Sequence, residues 1–125
     1  MEQYKWECVQ VLGGYHDRTI FSVTWGSGTA SSLGWIASAS SDGQIVVYQV
    51  EVSSRAGLSS SSDLNKRQRR QGGGTEARVL TKTASAHGVH DVNCVSWCPR
   101  GGLENYLASC GDDGSVRVWK VLVGK

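Results

Sequence analysis

The sequence predicts an all-β chain assembled from two copies of one antiparallel unit, and three observations carry that expectation. Short segments rich in β-branched and aromatic residues recur along the chain: WECVQVL, TIFSVTW, QIVVYQV, VNCVSW and SVRVWKVLV, with Gly, Ser and Asp between them. No window holds a sustained helical period. Sixteen glycines and five tryptophans stand against one proline and one phenylalanine, which fits many short strands joined by tight turns. The chain also repeats itself. Residues 36–48 (IASASSDGQIVVY) align without a gap on residues 107–119 (LASCGDDGSVRVW), an offset of 71, and SVTW ending at Trp25 aligns on CVSW ending at Trp97, an offset of 72.

Each element follows from that repeat. Residues 6–12 are expected to be the outer strand of a unit preceding the first copy, and residues 19–50 to supply three strands of that copy. Residues 79–85 would close it as its fourth strand. Residues 91–123 would supply three strands of the second copy, whose own outer strand is missing because the sequence ends. Between the copies, residues 53–74 (SSRAGLSSSSDLNKRQRRQGGG) carry almost no large apolar side chains. Such a segment cannot bury enough surface to offset its ordering entropy, so it is expected to be a disordered loop. The resulting organisation is residues 1–52, a loop at 53–76, and residues 77–125. Removing a loop insertion of roughly 26 to 30 residues brings the repeat offset to a period of ~40–45 residues.

Composition narrows the function classes. The chain has 13 basic and 11 acidic residues, a net charge of +2. Five of the basic residues and three of the acidic ones fall in residues 51–76, leaving eight of each elsewhere. A neutral body is not the footprint of a nucleic-acid binder. No apolar run approaches the ~20 residues that cross a bilayer, so no membrane partner is expected. No secretory pattern follows Met1, so Cys8, Cys94, Cys98 and Cys110 read as reduced thiols rather than a disulfide framework, with Cys94 and Cys98 buried or half-buried.

The repeat carries a particular set of polar residues. His16 is followed by Ile20, Val23 and Trp25 at spacings of four, seven and nine, then by Ser38, Ser40, the Asp42-Gly43 turn and Tyr48. The second copy has Val92, Val95, Trp97, Ser109, Asp113, Gly114 and Trp119. Its histidine, His87, lies ten residues before Trp97 rather than nine, so either His87 displaced by a bulge or Gly88 in its place would serve. Half-satisfied buried polar groups are costly, so a chain of indole or phenol, hydroxyl, imidazole and carboxylate is expected to occur complete or not at all. The expected chains are Tyr48, Ser38, His16 and Asp42 in one copy, and Trp119, Ser109, His87 and Asp113 in the other. Tyr48 keeps a hydroxyl donor but changes its reach, so the first chain is expected to be the weaker.

With these motifs the sequence resembles a WD40 β-propeller, of which it would form two four-stranded blades of an incomplete ring. The signature dipeptide is degraded to Tyr48-Gln49 and Trp119-Lys120. GYHDRTIFSVTW, AHGVHDVNCVSWCP and LASCGDDGSVRVWK are similar to the last two blades of the WD40 family of cytosolic iron–sulfur protein assembly. That resemblance implies a non-enzymatic scaffold, without a cofactor, that brings apoprotein clients to a targeting complex containing a small adaptor and a HEAT-repeat subunit. It implies a cytoplasmic protein, with the nucleus as a second compartment. The alternative is a WD40 substrate receptor or scaffold of a ubiquitin ligase or another regulatory complex.

Other constellations invite sharper readings. Ser38, His16 and Asp42 resemble a hydrolase triad, but there is no G-x-S-x-G elbow and the same set recurs in the second copy. His87, His90, Cys94 and Cys98 have the spacing of zinc ligands, yet on a strand Cys94 and Cys98 would stand ~13 Å apart. KRQRR at 66–70 reads either as a phosphate-binding or import patch or as solvated charge. Arg18, Arg78, Arg100 and Arg117 are candidates for a partner surface on one propeller face.

Overall fold

The computed structural model of the chain describes residues 3–28, 32–52 and 75–122. These residues form seven strands and no helix: β1 (Ile20–Gly26), β2 (Gly34–Ser40), β3 (Ile45–Val52), β4 (Thr75–Thr83), β5 (Val92–Trp97), β6 (Tyr106–Gly111) and β7 (Val116–Lys120). They pair antiparallel into a four-stranded sheet, β1-β2-β3-β4, and a three-stranded sheet, β5-β6-β7. The order is the up-and-down order that short Gly-containing turns permit. Gly43 and Gly114 occupy the same turn position in the two copies with φ of 83° and 82°, which a side chain would resist.

The second unit has three strands among the described residues. Two expectations need correction. The strand expected at 79–85 begins earlier, at Thr75, and ends at Thr83, because β3 continues to Val52 and offers a partner to each residue from Thr75 to Val79. Residues 6–12 form no strand, and Trp6 is 99% exposed. An extended segment is held in a strand by its ladder, and among the described residues none lies beside it. The loop expected at 53–74, with its KRQRR run, lies outside the described residues.

The sheets pack face to face through one core of Trp35, Ala37, Ala39, Ile45, Val47, Ala86, Val92, Val95, Trp97 and Leu107. Alternation explains the face: in β5 Val92, Val95 and Trp97 are buried while Cys94 and Ser96 are exposed. A register shift between Ile20 and Ser22 in the first sheet recurs between Val92 and Cys94 in the second. The two indoles at the joint, Trp35 and Trp97, lie 5.8 Å apart at 56°. Edge strand β5 meets side chains rather than another ladder here. Its Val95 N–H donates to Ser22 Oγ (3.2 Å) and its Trp97 N–H to Thr24 Oγ1 (3.4 Å). Gly26 completes the fit, since a Cβ there would stand 2.8 Å from the Trp97 ring.

Candidate functional site

The two polar chains occupy the same place in each sheet, where the turn between the second and third strands meets the approach to the first. In the three-stranded sheet, Trp119 Nε1 donates to Ser109 Oγ at 2.9 Å. Ser109 Oγ lies 2.8 Å from His87 Nε2, and His87 Nδ1 lies 2.9 Å from Asp113 Oδ1. For a neutral imidazole the direction follows from both ends. An indole N–H only donates and a carboxylate only accepts, so the neutral ring carries its hydrogen on Nδ1 and accepts the serine hydrogen at Nε2. In the four-stranded sheet, Tyr48 Oη is 3.3 Å from Ser38 Oγ, and Ser38 Oγ is 2.7 Å from His16 Nε2. His16 Nδ1 is 3.1 and 3.2 Å from the two Asp42 oxygens. The tyrosine link is the longest contact in either chain.

His87, and not Gly88, makes the second set of contacts. The additional residue is taken up ahead of β5 by two successive turns, closed by Gly88 N–H to Ser85 O and His90 N–H to His87 O, each 3.1 Å. The strand register shift, identical in both sheets, is not where it goes. The same turn is tied to the other sheet by Ala86 N–H donating to Gly43 O at 3.0 Å. His87 is fully buried, and Gly111 beside it leaves room for the ring: a Cβ there would meet the ring at 2.7 Å and Asp91 O at 2.6 Å.

Both carboxylates are held in the ionised form. Burial pushes Asp42 up, but the Asp17 and Gln44 backbone N–H groups and His16 outweigh it, leaving the carboxyl below its ordinary value. Asp113 is likewise pushed up by what burial it has. His87 and the backbone and hydroxyl of Ser115 pull it the other way, and it ends well below the usual carboxylate range. Arg117 adds a contact to Asp113 at 3.3 Å and donates to Ser115 Oγ at 3.2 Å.

The serines are placed for structure. Ser38 and Ser109 are each 2% exposed, with their oxygens already engaged on two sides. A nucleophile needs a hydroxyl open to its substrate, and both of these are buried. Cys94 and Cys98 do not converge. Cys94 Sγ is 3.7 Å from Ser22 Oγ, whereas Cys98 Sγ accepts from Arg100 N–H at 3.5 Å. Among the described residues no three His, Cys, Asp or Glu side chains stand where one ion could be held. Cys8 is exposed, and so is Cys94, contrary to the expectation of a covered thiol there, because Cys94 falls on the outward face of β5. The arginines do not share a face. Arg18 and Arg117 lie at the end carrying the Asp-Gly turns, Arg100 lies in the β5–β6 loop at the opposite end, and Arg78 lies along β4. Sequence reasoning missed Ser22 and Thr24, whose hydroxyls serve a strand of the other sheet and so leave no mark in the spacing of their own.

Comparison with known proteins matches the chain to the WD40 family model (WD domain, G-beta repeat) over residues 6–49 and 78–120, most of its length. Among curated proteins it is 36% identical to the "Probable cytosolic iron-sulfur protein assembly protein 1" of Mycosarcoma maydis, covering 92% of this chain and 30% of that protein. It is 35% identical to the protein of the same name from Lodderomyces elongisporus, over 96% of this chain and 23% of that one. To the "Probable cytosolic iron-sulfur protein assembly protein CIAO1 homolog" of Nematostella vectensis it is 38% identical, over 93% of this chain and 28% of that one. The chain thus spans less than a third of the length of these relatives.

Proposed function

This chain belongs to the WD40 repeat family, and we propose that it works as a non-enzymatic scaffold element in the maturation of cytosolic iron–sulfur proteins. The observation that carries the reading is the continuous likeness, across both sheets, to relatives named for iron–sulfur protein assembly. The chemistry agrees. The serine, histidine and aspartate of each sheet are consumed in internal hydrogen bonds, so the polar residues that would do catalysis hold the fold instead. The mechanism is positional. A rigid stack of sheets holds an apoprotein client near the cluster-delivering partners, a small adaptor and a HEAT-repeat subunit, and raises their effective concentration. The site of action is the cytoplasm, with nuclear clients served as well.

Affinity purification of the tagged protein from cells, followed by mass spectrometry, tests this. Co-purification of iron–sulfur targeting subunits and cluster-binding apoproteins is expected. Recovery of ubiquitin-ligase subunits in their place would overturn the reading.

A further inference from the structure

Two of the four cysteines stand directly opposite each other. In the ladder between β5 and β6, Cys94 is the partner of Cys110, and the side chains of an opposed pair share one face of the sheet. Both strands belong to one sheet, so the register that brings the pair together is the same whatever packs on that face. The repeat does not require thiols there. At the equivalent place in the first sheet Ser22 is paired with Ala39, and those residues serve the same fold. The other two cysteines are placed differently. Cys98 faces Tyr106, to whose carbonyl its N–H donates at 2.9 Å, and Cys8 belongs to no strand.

The ladder also fixes the spacing. Antiparallel pairs alternate in type, so the bond at Cys98 and Tyr106 makes Ser96–Ala108 and Cys94–Cys110 pairs of the hydrogen-bonded kind. The N–H groups of Val95 and Trp97 accordingly point away from β6, to Ser22 and Thr24. In a hydrogen-bonded pair the Cα atoms stand ~5.5 Å apart, inside the ~4.4–6.8 Å that a disulfide spans. The Cβ atoms stand ~5 Å apart against the ~3.8 Å of a relaxed bridge, so they must approach by about 1 Å. The register shift between Val92 and Cys94 interrupts the ladder beside the pair and leaves β5 able to bend there. A bridge closed under that strain is labile. The sulfur itself is weakly held. Cys94 Sγ is 3.7 Å from Ser22 Oγ and 3.9 Å from Val95 O, both on the side of β5 away from β6, and a thiol is a poor partner to either. Turning χ1 from that staggered well to another carries the sulfur toward Cys110.

We propose that Cys94 and Cys110 are a redox pair that closes to a reversible cross-strand disulfide by exchange with a low-molecular-weight disulfide of the glutathione class. One cysteine, as the thiolate, attacks a sulfur of the small disulfide. That S–S bond breaks, one glutathione leaves as its thiolate, and a protein–glutathione mixed disulfide forms. The opposed cysteine, its proton given to water, then attacks the protein sulfur and expels the second glutathione thiolate. The two protein thiols lose two electrons and two protons, and the small disulfide is reduced to two thiols. Excess thiol runs the same steps backwards. The inference rests on the β5–β6 register and is independent of the scaffold reading.

The native protein is held in glutathione disulfide, blocked with iodoacetamide and digested with trypsin without reduction. From the band that runs as a single chain on a non-reducing gel, residues 83–100 are expected to emerge joined to residues 101–117 with the loss of two hydrogens. Cys98 is expected to carry the alkyl group, and dithiothreitol to separate the peptides. Cys94→Ser and Cys110→Ala introduce the residues that the first sheet uses at those positions. Each is expected to abolish the link and to leave the remaining cysteine of the pair joined to glutathione. Cys98→Ser is expected to keep the link at its wild-type yield, and decides the matter should a variant of the pair fail to fold. Links from Cys8 or Cys98 to Cys110 in equal yield would overturn the proposal. So would a bridge found only between chains, glutathione on Cys94 and Cys110 with no bridge, or both thiols still free in the oxidised buffer.

Discussion

At the scale of residues, each sheet depends on a serine hydroxyl that accepts from an aromatic donor and donates to an imidazole. Ser109→Ala strands the part-buried Trp119 N–H and the buried His87 Nε2 at once, and is expected to cost ~1–3 kcal/mol. Ser38→Ala removes the longer 3.3 Å contact to Tyr48 and is expected to cost less, which urea denaturation of the two variants would compare. The carboxylate ends predict the pH response. Asp42 and Asp113 both have folded values below the ordinary one, so the unfolded chain binds protons first as pH falls. Their stabilisation is complete above about pH 4, the ordinary carboxylate value, and is lost as pH drops from there through the folded values. Denaturant midpoints measured from neutral pH downward should decline below that point. Asp42→Asn should be less stable at neutral pH and show a shallower decline.

At the scale of elements, turns and bulges repeat more faithfully than the residues they carry. The Asp-Gly turns share one backbone conformation, and the register shift falls at the same repeat position in β1 and β5. The strand-to-strand approach is where the copies differ, since His87 needs two turns to reach the place that His16 reaches directly. That detour is possible because Gly111 leaves the ring space. Gly111→Ala would bring a Cβ against the Asp91 carbonyl and the His87 ring, both held by the fold. We expect it to displace His87 from Asp113 and to lower the melting temperature more than Gly101→Ala, whose Cβ meets open space. The imidazole Nδ1–H resonance of His87 would report the displaced contact by nuclear magnetic resonance.

At the scale of the whole molecule, one core crosses both sheets, so unfolding is expected to be a single cooperative transition rather than two. The indoles at the joint separate packing from hydrogen bonding. Trp35 Nε1 donates to Gln49 Oε1 at 3.2 Å, whereas the buried Trp97 Nε1 has no acceptor among the described residues. Trp35→Phe therefore loses ring area and leaves Gln49 short of a donor. Trp97→Phe loses similar area but removes an unsatisfied buried group. We expect the Trp35 variant to be less stable by ~1 kcal/mol, read as the difference in denaturant stability. Equal losses would place a water or another acceptor at Trp97.

The sequence by itself determined the seven segments that become strands and seven of the eight side chains of the polar chains, since both are written locally as alternation and fixed spacing between neighbouring strands. Ser109 and Trp119 face each other across one hairpin, and His16 and Asp42 stand at the two ends of the β1–β2 hairpin, so their meeting follows from the order of elements. Tertiary structure decided whatever depends on a partner beyond the hairpin. It chose His87 over Gly88 through the turns ahead of β5, and it turned Cys94 outward. It set Arg100 at the end opposite Arg18 and Arg117, and made Ser22 and Thr24 acceptors for a strand of the other sheet. It also left residues 6–12 without a ladder, although their composition suits a strand as well as that of β4. A strand exists only where a neighbouring edge offers its N–H and C=O groups, and no pattern within seven residues says whether that edge is there.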